Sequence, residues 1–268
     1  TDLFPPVTIE LDGRLAGIDT TYRRWLRAPL QMSVGTTSEI TYPDSRGAAT
    51  LLASSDPLFR TSTGQIGVKL GVLNGLLHAL WNSGLLEIDA GAILPEDLAG
   101  IIMDAQLTGK LPPVMRPPQG SETTDMVLAL GQAELYLTAL GATTRYGITI
   151  EAGVDVAVVD GAVTLDVAEE PFVRAWVIAS TDARPPIDGD ALESILIAEL
   201  WPPLRDAVSS GLSLSLPSLS VGDLTALAPS LEGFELELEM GERLDVREDS
   251  LVLDIQILGT LPPTMSME

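Results

Sequence analysis

The chain has 268 residues, of which 15 are basic and 38 are acidic, so its formal net charge is −23. A surface of that sign repels phosphate backbones and anionic headgroups, which argues against nucleic acid as a partner and against electrostatic docking on a bilayer. Because 46% of the residues are hydrophobic, the chain is too apolar for an acidic disordered protein and must bury a core.

The first predicted element is a β-strand. Residues 7–15 (VTIELDGRL) alternate apolar and polar side chains and contain an Asp-Gly turn signal. Residues 20–34 (TTYRRWLRAPLQMSV) fit either a short helix that stops near Pro29 or a second strand.

An apolar helix is predicted within residues 72–88 (VLNGLLHALWNSGLLEI), because leucines and Trp81 recur there at helical spacing. Asn74, His78 and Asn82 step by four residues and predict a narrow polar line on the opposite side. Gly84 is predicted to end the helix as a left-handed cap.

A series of strands follows. The Pro-rich segment 110–118 is predicted to be extended. Residues 124–168 show a period of two, with Asp160-Gly161 as a hairpin turn, and residues 172–180 continue the series.

A second apolar helix is predicted at about residues 190–210. Asp188 or Asp190 is expected to cap it, and Glu193 stands where a capping box places a glutamate after Asp190. Pro202 and Pro203 predict a kink or a break. Its apolar face is formed by Leu192, Ile195, Leu196, Leu200, Leu204 and Val208.

Strands are predicted again in the C-terminal third of the chain. Residues 212–221 (LSLSLPSLSV) alternate strictly and contain a proline, which is typical of an edge strand. Three further alternating segments are FELELEM, ERLDVRED and SLVLDIQIL. The sequence therefore predicts a mainly antiparallel α+β fold with two long apolar helices.

Several segments resemble the carboxy-terminal barrel of the bactericidal/permeability-increasing protein family. The helix ending Leu-Trp-x-x-Gly-Leu-Leu occurs here as Leu80, Trp81, Gly84, Leu85 and Leu86. KLPPVMRP is similar to the Pro-rich strand that follows in that family. LIAELWPPLRDAVSSGLSLSLPSLSV is similar to its late helix and the following Leu-Pro strand, and DSLVLDIQI to its closing strand.

This resemblance implies a bacterial member of the TULIP superfamily of tubular lipid-binding proteins. The implied fold is a highly curved antiparallel sheet wrapped around two long apolar helices. Residues 61–260 would form the barrel, residues 1–60 would add N-terminal strands to it, and residues 261–268 would be a loose tail. The implied ligand is a lipid or another acyl compound.

The candidate lipid-binding residues lie on the two helices. They are core residues in either of two interpretations: they line an apolar tunnel, or they fill a closed core. The predicted set is Leu73, Leu76, Leu77, Leu80, Trp81, Leu196, Leu200, Trp201 and Leu204.

Catalytic chemistry finds little support in the sequence. The chain has no cysteine and a single histidine, His78, which argues against a zinc site and against a cysteine nucleophile. No G-x-S-x-G elbow and no phosphate loop occur. Acidic pairs that resemble calcium ligands fit helix capping and hairpin turns better. We therefore expect no enzyme activity, no metal and no cofactor.

Two functional hypotheses remain open. The first is a lipid carrier or transfer protein of the bacterial envelope, periplasmic or secreted, whose signal peptide is removed or absent from this sequence. The second is a structural or protein-interaction module with the same fold and a filled core. We expect a lipid or fatty-acyl ligand, no nucleic acid, no stable membrane insertion, and a possible homodimer through a sheet edge.

Overall fold

The chain is described from a computed structural model. It describes residues 9–15, 30–36, 64–93, 100–159, 162–182, 185, 187–211, 214–215, 235–247 and 249–260. The strands are β1 (Ile9–Leu15), β2 (Leu30–Thr36), β3 (Gly64–Lys69), β4 (Glu87–Asp89), β5 (Ile102–Gly109), β6 (Val114–Arg116), β7 (Met126–Ala139), β8 (Ala142–Val159), β9 (Ala162–Val167), β10 (Phe172–Ser180), β11 (Leu214–Ser215), β12 (Glu235–Arg247) and β13 (Ser250–Thr260).

The helical elements are fewer. Helix α1 spans Leu70–Asn82, and a 3-10 turn spans Ala90–Ile93. Residues 189–211 form what we call the composite helix, which consists of α2 (Gly189–Ile195), a π-helical turn (Leu196–Leu200) and α3 (Trp201–Gly211).

The described strands form three antiparallel sheets. The largest has eight strands in the order β11-β9-β8-β7-β5-β4, with β10 also paired to β8 and β6 also paired to β7. A second sheet has the order β12-β13-β3, and β1 pairs with β2. Every recorded pairing is antiparallel, as the alternating sequence predicts.

The long β7–β8 hairpin organises the large sheet. One half of β7 pairs with β6 through Val127–Ala129, and the other half pairs with β5 through Ala133–Ala139. Between the halves a bulge shifts the register from Leu130 to Ala133, and Gln132 adopts a φ of 45°. A bulge bends its strand and increases the local twist, so the sheet curls into a half-barrel.

Helix α1 is held at both ends by backbone groups. Its first amide, on Leu70, donates to the carbonyl of Asp249 at 2.8 Å, and Lys69 pairs with the Asp249 carboxylate at 2.6 Å. At the other end Gly84 has a φ of 86°, its amide donates to Trp81 and that of Leu85 donates to Leu80. These two bonds form a Schellman motif, and the predicted glycine cap is confirmed.

The predicted polar line on α1 is wrong at Asn74. This side chain is 1% exposed and lies against β6. Its amide nitrogen donates to the Met115 carbonyl at 3.1 Å, and its side-chain oxygen accepts from the Met115 amide at 2.6 Å. A buried amide is stable only with such partners, and Asn74 therefore joins α1 to a strand.

The start of the composite helix is capped as predicted, but without a capping box. Asp188 is the N-cap, and its carboxylate accepts from the Ala191 amide at 2.8 Å. The carboxylate of Glu193 instead accepts the Ala175 amide of β10 at 2.9 Å. A Cβ at Gly189 would lie 2.6 Å from the Ala175 carbonyl oxygen, so the helix start covers the outer edge of β10.

The kink or break predicted at Pro202 and Pro203 does not interrupt the helix at the prolines; the irregular part is the π-helical turn before them. The two prolines occupy the first turn of α3, where a missing amide hydrogen is tolerated. They cannot donate hydrogen bonds back into the preceding turn, and that turn, Leu196–Leu200, is π-helical.

The buried side chains form one contiguous apolar core that includes residues of α1, the large sheet, the composite helix and β13. α1 packs against β2 and β6, α2 packs against β10, and α3 packs against β9. The curled antiparallel sheet is therefore as predicted. The expectation of two long helices is not met, because α1 has 13 residues and the composite helix is interrupted.

The C-terminal prediction needs one correction. FELELEM and ERLDVRED are not separate strands, because β12 runs through both with a register shift between Met240 and Leu244. Within 212–221 only Leu214–Ser215 is described, and it lies at the edge of the large sheet.

Asp160-Gly161 lies outside the described residues, although Val159 pairs with Ala162 across it. Residues 1–8, 16–29 and 261–268 also lie outside them.

Candidate functional site

A small apolar cavity lies between the composite helix and the concave face of the large sheet. The sheet supplies side chains from β5 and β7, the 3-10 turn supplies one, and the rest come from the composite helix and from Ile187, two residues before it. The lining consists of Ala90, Ile102, Ala105, Leu107, Leu135, Leu137, Ile187, Leu192, Ile195, Leu196, Glu199 and Leu200.

The alternation of β5 and β7 places their contribution on one face. Ala105 and Leu107 are two residues apart and both are buried, and so are Leu135 and Leu137 on the neighbouring strand. The pairing Ala105↔Leu137 and Leu107↔Leu135 brings the four side chains together. Ala105 is the smallest of these four side chains.

The cavity measures about 20 Å³. A void of that size holds about one water molecule, whereas pockets for small organic ligands measure roughly 300–1,000 Å³. In the described part of the chain, this site is therefore closed by side chains. It can receive an acyl chain only if the composite helix moves away from the sheet.

The helix side of the cavity is the irregular part of the composite helix. Leu196, Glu199 and Leu200 all belong to the π-helical turn. π-Turns within α-helices are rare and occur frequently at functional sites. The cavity thus lies where the helix has its least regular backbone hydrogen bonding.

Tyr146 anchors the segment that enters the helix. This β8 residue is fully buried, and its hydroxyl donates to the Ile187 carbonyl at 2.6 Å. Burial raises the pKa of the Tyr146 phenol, so it stays a hydrogen-bond donor at neutral pH. Together with the Asp188 cap, this bond fixes one end of the helix beside the cavity.

Glu199 is the one charged residue of the lining. It is partly exposed, and because the cavity wall has no polar surface, Glu199 contributes only carbon atoms of its side chain to the lining.

The predicted lipid-binding residues divide into two groups. Leu73, Leu76, Leu77 and Trp81 of α1 are buried and Leu80 is partly buried, but they do not line the cavity. The Trp81 indole donates to the Gly109 carbonyl at 2.7 Å, which is a structural role.

On the second helix Leu196, Leu200, Trp201 and Leu204 are all buried. Only Leu196 and Leu200 line the cavity. The Trp201 indole donates to the Ala168 carbonyl at 3.1 Å and holds α3 on the sheet.

Sequence reasoning missed the sheet side of the site. The strand alternation does indicate that Ala105, Leu107, Leu135 and Leu137 face inward. It contains no signal for which inward residues oppose the second helix, because that depends on packing between distant segments.

A second, polar groove of about 460 Å³ lies open to solvent between β8, β9 and α3. Asp155, Asp166, Glu169 and Asp206 line it together with Arg205, which pairs with Asp206 at 3.1 Å. Within the described ranges, no group of three or more His, Asp or Glu side chains is arranged to hold a metal ion.

His78 lies on α1 next to Trp81. Its ring lies 5.7 Å from that of Trp81, between centroids, and burial lowers its pKa. No helix of the described residues has both the length and the apolar character needed to cross a membrane.

Comparison with solved structures finds a similarity to one described as the crystal structure of lipopolysaccharide binding protein, which is 13% identical to this chain. The match covers 96% of this chain and 57% of that one, with a TM-score of 0.38. This chain thus spans little more than half the length of its structural neighbour, and a TM-score of 0.38 is too low to establish a shared fold. No family model and no curated protein matches.

Proposed function

We propose that the protein binds a lipid or another acyl compound between the composite helix and the concave face of the large sheet. The observation that carries this proposal is the apolar cavity against the π-helical turn. It is a void that the surrounding leucines and isoleucines leave unfilled, at the place where the covering helix is least regular.

Binding begins with displacement of the covering helix. Pro202 and Pro203 donate no backbone hydrogen bonds, so separating the π-helical turn from α3 breaks fewer bonds than opening a regular helix. Asp188 and Tyr146 hold the other end during this movement. The leucines that now meet across the cavity then contact the ligand instead of each other.

The free energy for this movement comes from the ligand. Each methylene removed from water contributes about 0.8 kcal/mol, so a chain of about 16 carbons contributes on the order of 10 kcal/mol before the costs of opening and immobilisation. The net charge of −23 favours a neutral head, such as that of an acylglycerol or a fatty alcohol, over a free fatty acid.

The proposal is tested with a fluorescent acyl probe and the pair of variants Ala105→Val and Ala152→Val. Both alanines are buried in strands, but only Ala105 lines the cavity. We predict that Ala105→Val weakens probe binding about tenfold or more, because two added carbons occupy a void of about 20 Å³. Ala152→Val should leave the affinity unchanged, although overpacking costs it about 1–3 kcal/mol of stability.

The same titration tests the head group. A monoacylglycerol should displace the probe at lower concentration than a fatty acid of the same chain length. Equal loss of binding in both alanine variants, or a wild-type protein that takes up no probe and carries no extractable lipid, would contradict acyl binding at this site.

A second candidate function is an interaction module with a filled core. The observation that favours it is the cavity volume, which is about the size of one water molecule. Under this hypothesis the wild-type protein takes up no acyl probe, and Ala105→Val has no functional effect.

A non-enzymatic role and a location in the bacterial envelope also remain proposals. Fractionation of the source cells would test the location. A homodimer through a sheet edge is a prediction as well. The outer edge of β10 is a poor candidate for it, since Gly189 and Glu193 cover that edge at Ala175.

A further inference from the structure

One exposed arginine on β10 has no carboxylate partner among the described residues. The other lysine and arginine side chains that the structure describes each have a carboxylate oxygen within 4.0 Å: Lys69, Lys110, Arg116, Arg145, Arg205 and Arg247. Arg174 forms no such ion pair within the described part of the chain. Acidic residues outnumber basic ones 38 to 15, so an acidic partner is easily found in this chain. The charge of Arg174 is left for an anion from outside it.

Two exposed aromatic rings flank Arg174 on β10. Phe172 is 57% exposed and Trp176 is 44% exposed. Residues two apart in a strand point to the same face, and Val173, which is buried, points to the other. The guanidinium carbon of Arg174 lies 5.4 Å from the centroid of the Phe172 ring, a cation–π contact that restrains the guanidinium. We call Phe172, Arg174 and Trp176 the aromatic–arginine face.

The Trp176 indole rests on the backbone of the neighbouring strand. Its register partner on β8 is Gly147, and a Cβ at Gly147 would collide with the indole ring. Part of the ring is thus packed where only glycine leaves room, and the rest is open to solvent. A large side chain that is already held in place loses little conformational freedom when a partner covers it. Tryptophan and arginine are the residues that most often dominate binding energy in protein interfaces.

Carboxylates border the aromatic–arginine face at both ends of the strand. Glu170, just before β10, and Asp182, just after it, are both exposed. Glu151, on β8, has its carboxylate bonded to Arg116 at 2.9 Å. A polyanion would therefore meet repulsion on both sides of Arg174, and the net charge of −23 adds to it. The charges of this face match a single carboxylate that lies between apolar groups.

A second copy of this chain does not fit the face. The exposed parts of Phe172 and Trp176 amount to about 200 Å², because a whole aromatic side chain has about 150–250 Å². Each partner in a stable complex buries about 800 Å². Strand addition to β10 is also blocked at Ala175, since the Glu193 carboxylate accepts its amide hydrogen bond. A short segment that lies across the face fits both the area and the charge.

We infer that the aromatic–arginine face binds an extended peptide segment of a partner protein with the pattern apolar-x-acidic-x-apolar. In an extended chain every second side chain points to the same side, about 6.7 Å apart, which is the spacing of Phe172, Arg174 and Trp176. The carboxylate accepts hydrogen bonds from Arg174, and the two apolar side chains cover the rings. This site goes beyond the proposed function, because the acyl cavity lies on the concave face of the sheet.

The test is fluorescence anisotropy of the full chain with two labelled peptides that have blocked termini, Leu-Thr-Glu-Thr-Leu and Leu-Thr-Gln-Thr-Leu. We expect wild type to bind the glutamate peptide about fivefold or more tightly than the glutamine peptide. Arg174→Gln should bind both equally, because the charged partner of the carboxylate is gone. Arg247→Gln is the matched control, since Arg247 already pairs with Asp245 at 3.0 Å, and it should keep the preference of wild type.

The aromatic rings are tested with the same two peptides. Trp176→Ala should weaken binding of both about fivefold or more, because the apolar contact is common to them. Loss of the indole also uncovers Gly147, so the urea midpoint of this variant is measured as well. Phe172→Ala removes the more exposed ring and should weaken both peptides in the same direction.

The remaining outcomes would overturn the inference. They are a wild-type protein that binds neither peptide or binds both equally, and an equal loss of preference in Arg174→Gln and Arg247→Gln. Binding of the neutral sugar cellohexaose that Trp176→Ala abolishes, with no peptide binding, would assign the face to carbohydrate instead. A dissolved acyl probe should bind Arg174→Gln as it binds wild type, so failure of the peptide site and failure of the acyl site are distinguishable.

Discussion

Single residues in this fold are constrained most strongly where backbone segments approach each other. Gly109, at the end of β5, is such a position. A Cβ there would lie 2.8 Å from both Cβ and Cδ1 of Leu86 and 3.3 Å from Cδ1 of Trp81. The Gly109 carbonyl also accepts the indole hydrogen bond of Trp81. This glycine allows the segment after α1 to lie directly on the sheet.

We predict that Gly109→Ala destabilises the protein by about 1–3 kcal/mol, because the Leu86 Cβ is fixed to its backbone and cannot rotate away. Gly71→Ala is the control, since no atom lies within 4 Å of its new Cβ and alanine is favoured over glycine within α1. Urea denaturation should place its midpoint at or above that of wild type. Equal midpoints for the two variants would contradict the packing argument.

At the scale of elements, the composite helix covers the cavity, and its regularity differs along its length. The N-terminal end is fixed by a side-chain cap and a tyrosine hydrogen bond, whereas the middle is π-helical and followed by two prolines. The helix is thus fixed at one end and less regular beside the void. A perturbation at the cap should therefore affect both stability and ligand binding.

We predict that Asp188→Ala lowers the free energy of unfolding by about 1 kcal/mol, as is typical for loss of an N-cap. Asp190→Ala is the matched control two residues later in the same first turn, at a position that is not the N-cap, and it should cost less. Hydrogen exchange should show faster exchange of the Ala191 amide in the first variant only. Similar losses in both would mean that the general negative charge at the helix start matters more than the cap.

The outcome for each element follows from the range of the interactions that determine it. Period-two alternation and glycine geometry are local, and they predicted β7, β8, β9, β10 and the Gly84 cap. Asn74 was placed wrongly because its partner, Met115, is 41 residues away and an exposed polar stripe has the same spacing. The cavity lining could not be predicted for the same reason, because Ala105 meets Leu137 and Leu196 only after the sheet has curled.

At the scale of the whole molecule, net charge opposes compactness. The net charge is −23, and the folded state holds these charges closer together than the unfolded chain does. Electrostatic repulsion is therefore stronger in the folded state. The ion pairs of the described residues, such as Arg116 with Glu122 and Glu151, offset only part of it. Stability should consequently depend on ionic strength.

We predict that raising NaCl from about 0.01 M to about 0.15 M at pH 7 raises the melting temperature by roughly 2–4 °C, because the Debye length falls from about 30 Å to about 8 Å. The control is the same pair of measurements near the isoelectric point of about 4.1, where the repulsion vanishes and salt should have little effect. A salt response of equal size at both pH values would point to a cause other than net charge.

The covered edge of β10 has a consequence for the behaviour of the protein at high concentration. An incoming strand would have to remove Glu193 from the Ala175 amide and displace Gly189, where an added Cβ would lie only 2.6 Å from the Ala175 carbonyl oxygen. Polymerisation by strand addition is therefore blocked here in the native state. Fibril formation from this edge requires prior detachment of the helix start, which the Asp188 cap and the Tyr146 hydrogen bond hold in place. The movement proposed for acyl binding leaves this end fixed, so the edge would stay covered while the middle of the helix moves.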